Sequence, residues 1–314
     1  MSELPTRRLG ESDLEVSVVG LGCNNFGGRL DLDRTRAVVD AAIDAGVNLL
    51  DTADIYGGQG GSEELLGEVL QGRRDQVILA TKFGMDMKGA NGEPAGPRGS
   101  APYVRQAAEA SLRRLRTDVI DLYQYHQPDG VTPLAETLGA MGELVGEGKV
   151  RFIGCSNFSA EQLRESERIA RDAGSARFES LQNEYSLLKR GIEADVMPEC
   201  ERLNVGVLPF FPLASGLLTG KYARGQAAPE GTRLAGRGSV GSDADFDVVE
   251  ALERFASERG LELIDVAIGA LAAKPAVASV IAGATRPEQV RRNVQAGLWT
   301  PTEDDLAEID AIAG

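Results

Sequence analysis

Four residues of the 314-residue chain have the types and spacing of an acid–base site. Asp51 ends the apolar run Val47–Leu50, and Tyr56 follows five residues later in a polar loop opened by Gly57 and Gly58. Lys82 ends Val77–Thr81, and His126, the only histidine, ends Val119–Tyr125. If these runs are neighbouring parallel strands, the four side chains meet at one mouth. A phenol has a reference pKa of ~10, and a nearby ammonium lowers it. A carboxylate would keep that ammonium charged and fixed, and a neutral imidazole could orient a substrate carbonyl. The set suits carbonyl reduction, with hydride supplied by a nicotinamide or flavin because side chains cannot supply it. Taken singly, Asp51 could cap a turn, Tyr56 could be a loop aromatic, Lys82 a strand end and His126 a satisfied core histidine. The joint placement carries the chemical reading.

Positioning these groups requires strands, and eight short buried runs alternate with helical patterns along the chain. Beyond the three above they are Val18–Gly22, Val150–Gly154, Ser180–Gln182, Val205–Phe211 and Ala278–Ala282. Their polarity is continuous rather than alternating, as for parallel strands covered on both faces. No linker or composition break divides the chain. The expected architecture is α/β: one (β/α)8 TIM barrel spanning residues 1–314, with an N-terminal β-hairpin over 7–19 and an extra C-terminal helix capped by Thr302. An open doubly wound sheet is the alternative. Barrel active sites lie at the carboxyl ends of the strands, where Asp51, Lys82 and His126 fall. Ser62 reads as the N-cap of a helix over 63–70, and Ser159 with Gln162 as a capping box. Residues 84–100 and 212–245 read as long loops.

Bulk properties narrow the partners. A net charge of −15 repels phosphate backbones and anionic membranes, and no window reaches the ~18 apolar residues of a membrane span. Three cysteines without a CxxC and an N-terminus without an export signal point to the cytoplasm. Cys23 and Cys155 follow strands at the active mouth and read as small packing residues, with oxidation sensitivity as the alternative. No metal site is expected.

Gly20–Gly27 has the spacing GxGxxxxG and no ribose-binding acid in the expected place, which excludes a Rossmann loop. A better anion site is Gly283-Ala284-Thr285-Arg286-Pro287-Glu288-Gln289. There Thr285 and Glu288 form a capping-box pattern, and free amides with Arg286 favour phosphate.

Asp51 with Tyr56, the segments Arg151–Phe158, Gln182–Tyr185, Phe210–Lys221 and Gly283–Val290, and Asn293 together resemble the aldo-keto reductase superfamily over about residues 7 to 297. The resemblance is greatest to its bacterial and channel-β-subunit-like branches. It implies a (β/α)8 barrel that binds NADP(H) in extended form, with Tyr56 as proton donor, Lys82 and Asp51 tuning it, and His126 positioning the carbonyl. It further implies that Ser156, Asn157 and Gln182 hold the carboxamide, and that Phe210 stacks on the nicotinamide where the family commonly has Tyr. Gly22, Cys23, Asn24 and Asp51 would also border the cofactor. Phe211 and Pro212 would border the cofactor too, and Leu213, Gly216, Leu217 and Lys221 would line the pyrophosphate. Gly283, Thr285, Arg286, Gln289 and Asn293 would meet the adenosine 2′-phosphate and adenine. Gln289 and Arg292 stand where some branches use an Arg and a Glu.

The implied function is NADPH-dependent reduction of aldehydes and ketones to alcohols. One alternative is an NADP(H)-binding redox-sensing regulatory subunit with slow turnover. The other is a barrel lyase with a Schiff base on Lys82, which needs a lysine of depressed pKa. Loops at 24–30, 84–100, 127–132 and 212–245 are expected to form an open pocket rim for a small carbonyl substrate. A monomer is expected.

Overall fold

The computed structural model describes residues 3–93, 95–236 and 240–314. Residues 237–239, part of the expected 212–245 loop, lie outside it. An antiparallel hairpin, β1 (Thr6–Arg8) and β2 (Glu15–Ser17), opens the chain. Eight parallel strands follow: β3 (Val19–Gly22), β4 (Leu49–Asp51), β5 (Ile78–Phe83), β6 (Ile120–Tyr125), β7 (Val150–Ser156), β8 (Phe178–Gln182), β9 (Gly206–Val207) and β10 (Val280–Gly283). Their spatial order is β10-β3-β4-β5-β6-β7-β8-β9. Backbone bonds from Val207 N to Ala276 O (2.7 Å), Ala278 N to Val207 O (2.9 Å) and Ile281 N to Pro209 O (3.0 Å) join the two edges. The sheet thus curls round on itself as the eight-stranded barrel expected, with helices outside.

Side chains two apart on a strand share a face, and this sorts the core. Leu49, Ala80, Leu122, Leu208, Ala278 and Ile281 form one buried cluster with Leu9, Leu14 and Val16 of the hairpin region. The hairpin therefore plugs the barrel below its polar end. Asp51, Lys82 and Gln124 each stand two residues beyond a member of that cluster, so the same faces turn polar at the carboxyl ends. Residues of opposite parity face the helices. Phe83 stacks on Tyr123 (4.8 Å) and Tyr125 (5.1 Å), and Tyr125 meets Phe158 edge-on (6.1 Å).

Gly154 sits where sheet and site are tightest: a Cβ there would come within 2.1 Å of Ser180 Oγ and 3.2 Å of Gln124 Cγ. A second apolar cluster joins the helices Asp243–Glu258 and Leu263–Ala272 to Leu217, Leu218 and Tyr222. The extra helix Glu303–Ala313 covers it, capped by Thr302 with Asp305 as its reciprocal partner. The Ser159–Gln162 capping box also forms. No helix among the described residues is long and apolar enough to cross a membrane.

Three local expectations fail for identifiable reasons. Ser62 is not an N-cap; the helix runs Gly61–Val69, and the Ser62 hydroxyl donates to Cys23 O (2.9 Å) and pairs with Thr52 Oγ1 (2.8 Å). Tertiary partners outcompete the cap. The Val205–Phe211 run forms only the two-residue β9; Pro209 has no N–H to give, and pairing resumes beyond it as a single bridge at Phe210, whose N–H donates to Asn183 O (3.0 Å). Thr285 and Glu288 form no capping box; Thr285 N and Oγ1 both donate to Gln289 Oε1 (2.7 and 3.0 Å), and Arg286 occupies the N-cap position.

If the hairpin is part of the core, Leu9→Ala costs about 3 kcal/mol, in the range for a fully buried leucine. Urea unfolding of the variant measures this. A loss under ~1 kcal/mol would show that the barrel floor closes without the plug.

Candidate active site

The carboxyl ends of β4, β5 and β6 bring together three of the four predicted groups, and the turn after β4 brings the fourth. Lys82, fully buried, donates from Nζ to Asp51 Oδ2 (2.7 Å) and to Thr52 O (2.7 Å). Its ammonium lies 5.1 Å from the centroid of the Tyr56 ring, and Tyr56 meets His126 edge-on at 6.0 Å. The acid, the lysine, the tyrosine and the histidine therefore form one constellation.

A tight turn places Tyr56. Asp54 N donates to Lys82 O (3.0 Å) and Tyr56 N to Ala53 O (3.1 Å). Gly57 then takes φ +71°, and a Cβ there would lie 2.5 Å from both Phe26 O and Ser62 N. Only glycine fits that corner.

Two glutamines complete the anchor of Asp51. Gln124 Nε2 (3.1 Å) and Gln182 Nε2 (2.9 Å) both donate to its Oδ1, so the buried carboxylate accepts three side-chain donors. Gln124 was missed in the sequence. Its signal is there in retrospect: a polar residue two before His126, in register with Lys82 across β5 and β6. Gln182 was assigned to the cofactor carboxamide, yet its amide nitrogen is engaged with Asp51. Ser156 Oγ donates to Gln182 O (2.7 Å), and Asn157, at φ +59°, donates from Nδ2 to His126 O (3.0 Å) and Ser156 Oγ (3.0 Å).

The electrostatics follow from burial. The Lys82 ammonium is pulled down by desolvation, but Asp51, Tyr56 and their hydrogen bonds outweigh this and raise its pKa. A charged lysine is a poor Schiff-base nucleophile, which removes support from the lyase alternative. The Tyr56 phenol is raised above its ordinary value, not lowered as the sequence reading expected. Desolvation exceeds the opposing pull of Lys82, and Asp51 adds to the rise. The proton stays on Tyr56 at neutral pH. Burial, then Lys82, push His126 down to about 3, so the imidazole is neutral there. Cys23 and Cys155 are fully buried with thiols pushed well up by desolvation, and they act as packing residues.

The expected cofactor residues extend from this centre along the mouth. Gly22 pairs with Asp51 on one side and Gly283 on the other. A Cβ on Gly283 would contact Asn25 Nδ2 (3.5 Å) and Asn24 Oδ1 (3.6 Å), so the stretch 22–25 and the end of β10 adjoin. Phe210 and Phe211 are half-buried with rings edge-on at 5.2 Å. Phe211, Ala214, Ser215 and Gly216 all take positive φ (53°, 45°, 58° and 100°). Such strained runs turn amides into concave anion cradles and cluster at ligand sites. Pro212 and Leu217 are buried, Leu213 is half-buried, and Lys221 is exposed. Arg286 is exposed and Asn293 buried beyond β10. Arg292 is withheld from a ligand by Asp265 (2.6 and 2.8 Å) and Glu262 (3.0 Å). These residues fit an elongated anionic cofactor.

A buried acid under the Tyr56 turn was also unforeseen. Asp54 is fully buried, accepts from Asn91 Nδ2 at Oδ2 (3.1 Å), and has no partner at Oδ1 among the described residues. Desolvation, then the adjacent Glu63, push it up to about 7, against smaller opposing effects of Asn91, Arg114 and Ile55 N–H. Glu63 is itself tied to Thr81 Oγ1 (2.5 Å) and Arg114 (2.7 Å). In the unfolded chain an aspartate titrates near ~3.9. Between these values the folded protein holds the extra proton, so stability from this site is complete below pH ~4 and drains as pH rises towards 7. Asp54→Asn should therefore melt at a higher temperature than wild type at pH 8, by a margin that shrinks as pH falls towards 5 and closes near pH ~4. Parallel melting curves across that range would show that Asp54 is ionised in the fold throughout.

Comparison with known proteins places the chain. A profile described as the aldo/keto reductase family matches residues 18–313. "Aldo-keto reductase YhdN" of Bacillus subtilis is 34% identical over 315 residues, covering 97% of this chain and 92% of that protein. A "Probable voltage-gated potassium channel subunit beta" of Oryza sativa subsp. japonica is 34% identical, covering 96% and 95%. The holo form of aldo-keto reductase AKR11C1 from Bacillus halodurans superposes with a TM-score of 0.82 at 33% identity, covering 99% of this chain and 97% of that one. With the barrel, the buried Asp51–Lys82 pair and the Tyr56–His126 contact already in place, these matches agree on one conclusion: the chain belongs to the aldo/keto reductase family of oxidoreductases.

Proposed function

We propose that the protein reduces aldehydes and ketones to alcohols with NADPH, Tyr56 giving the proton to the developing alkoxide. The observation that carries this reading is the fully buried Lys82–Asp51 pair beside a phenol that keeps its proton and an imidazole that is neutral at working pH. The nicotinamide, when bound, supplies the hydride. The chain's own residues do the rest. The neutral imidazole of His126 donates a hydrogen bond to the carbonyl oxygen and holds it near the Tyr56 hydroxyl. The Lys82 ammonium stabilises the phenolate left after proton transfer, and Asp51, locked by Gln124 and Gln182, keeps the ammonium in place. The positive-φ run at 211–216, with Lys221 and Arg286, supports an extended pyrophosphate and a 2′-phosphate. Phe210 offers a phenyl face to the nicotinamide. Ser156 and Asn157 stand beside Gln182 for the carboxamide. Gly283, Thr285, Gln289 and Asn293 are assigned to the adenosine end.

A second reading has its own support, because relatives named as probable potassium channel β subunits match nearly the whole chain. In that case the cofactor binds tightly and turns over slowly.

Fluorescence titration with NADPH and then NADH, followed by oxidation of bound NADPH with a panel of simple aldehydes, separates the two. Binding with turnover is expected. Tight binding without turnover on any carbonyl would favour the sensor. Tyr56→Phe keeps the ring and deletes the proton, so turnover should fall by about 10² or more while NADPH binding is retained. Unchanged turnover would assign the proton to another group.

A further inference from the structure

A cavity of about 400 Å³ opens beside the catalytic mouth, between the loops that follow β5 and β6. None of Asp51, Tyr56, Lys82 or His126 lines it. Its size lies within the range of small-molecule sites. Met87, Tyr103 and Val131 give the lining an apolar part. Val131 is 72% exposed and is the one large hydrophobic side chain so exposed among the described residues.

The lining also carries Lys88 and Arg98, together with Asp86 and Asp129. In a chain with 48 acids and 33 basic residues, most partly buried arginines have a carboxylate or carbonyl partner. Arg98 is half-buried, its Nε is fully enclosed, and no acceptor among the described residues reaches it. Lys88 also has no ion pair among the described residues; it sits at φ +47° in a turn where its backbone N–H donates to Asp86 Oδ1 (3.0 Å). The second acid on the rim, Asp129, is saturated locally. Its two oxygens accept from Gly99 N (2.7 Å), Val131 N (3.0 Å), Thr132 N (2.8 Å) and Thr132 Oγ1 (2.7 Å). Asn91 also lines the cavity, is only 4% exposed, and has no partner at Oδ1 among the described residues while its Nδ2 holds Asp54.

A guanidinium presents paired donors that match a carboxylate, and an enclosed donor without an acceptor is costly. We propose that this cavity is a binding site for a small organic anion, a carboxylate on an apolar body. Arg98 and Lys88 take the carboxylate, and Met87, Tyr103 and Val131 take the body. The site stands apart from the reductase reading and does not depend on it. Through Asn91 its occupant rests on the same hydrogen bond that ties the 84–100 loop to Asp54, two residues before Tyr56.

Benzoate and its neutral isostere benzamide are the probes, titrated by calorimetry into the full chain. The cavity should bind benzoate, a ligand of few atoms, with Kd of order 1 mM, and benzamide at least tenfold more weakly. Arg98→Ala should weaken benzoate by tenfold or more and bring it level with benzamide. Val131→Glu, at an exposed position, takes apolar contact from both probes and adds a like charge against benzoate alone, so it should weaken benzoate clearly more than benzamide. Tyr56→Phe should change neither. Equal affinity for the two probes, no saturation by benzoate, or benzoate binding that survives Val131→Glu and moves with Tyr56→Phe would overturn the proposal. The last result would put the anion in the catalytic mouth instead.

Discussion

The ion pair between Lys82 and Asp51 is the constraint around which the upper half of the barrel is built. Both groups are removed from water, which is expensive for each charge and tolerable only when geometry and further hydrogen bonds compensate. The compensation is visible. Lys82 reaches both Asp51 and the Thr52 carbonyl, and Asp51 accepts two glutamine amides from β6 and β8 on its other oxygen. Four strands are thus tied to one carboxylate. Gly154 between them must remain glycine, because Ser180 and Gln124 fill the space a side chain would need. A site assembled this way is rigid before any substrate arrives, which is what transition-state stabilisation requires.

The same pair explains the protonation pattern. Charge on Lys82 is the reason His126 is driven further below its ordinary value, and it opposes the rise that burial imposes on Tyr56. The net outcome is a neutral imidazole next to a protonated phenol. That combination sets two hydrogen-bond donors side by side, neither carrying a net charge. The acid layer beneath, Asp54 with Glu63, Thr81 and Arg114, lies on the helix side of β5 and supports the turn from outside the barrel.

Much of this was legible in the sequence, because barrel chemistry is concentrated at strand ends and strand ends are easy to see. Asp51, Lys82 and His126 each terminate an apolar run, and the βα alternation orders those runs side by side. Tyr56 could be added because Gly57 and Gly58 mark a turn. Gln124 was not seen, since one amide inside an apolar run looks like noise until its register with Lys82 is known. Asp54 and Glu63 were hidden for a related reason: acids near a helix start read as solvated, and only tertiary packing shows them enclosed. Ser62 and Thr285 followed good capping patterns, yet each found a stronger partner elsewhere in the fold. The sign of the Tyr56 shift was misjudged because a sequence shows neighbours in charge but not the depth of burial.

The claim that the Lys82–Asp51 pair organises the site is tested most directly by a double-mutant cycle on unfolding free energy, with Asp51→Asn, Lys82→Met and the combination. Removing one partner leaves the other charge buried and uncompensated, so each single variant should lose about 3–5 kcal/mol. The double variant should recover most of that loss, because both charges are gone. Losses that simply add would contradict the account and mean that the two groups hold their places independently.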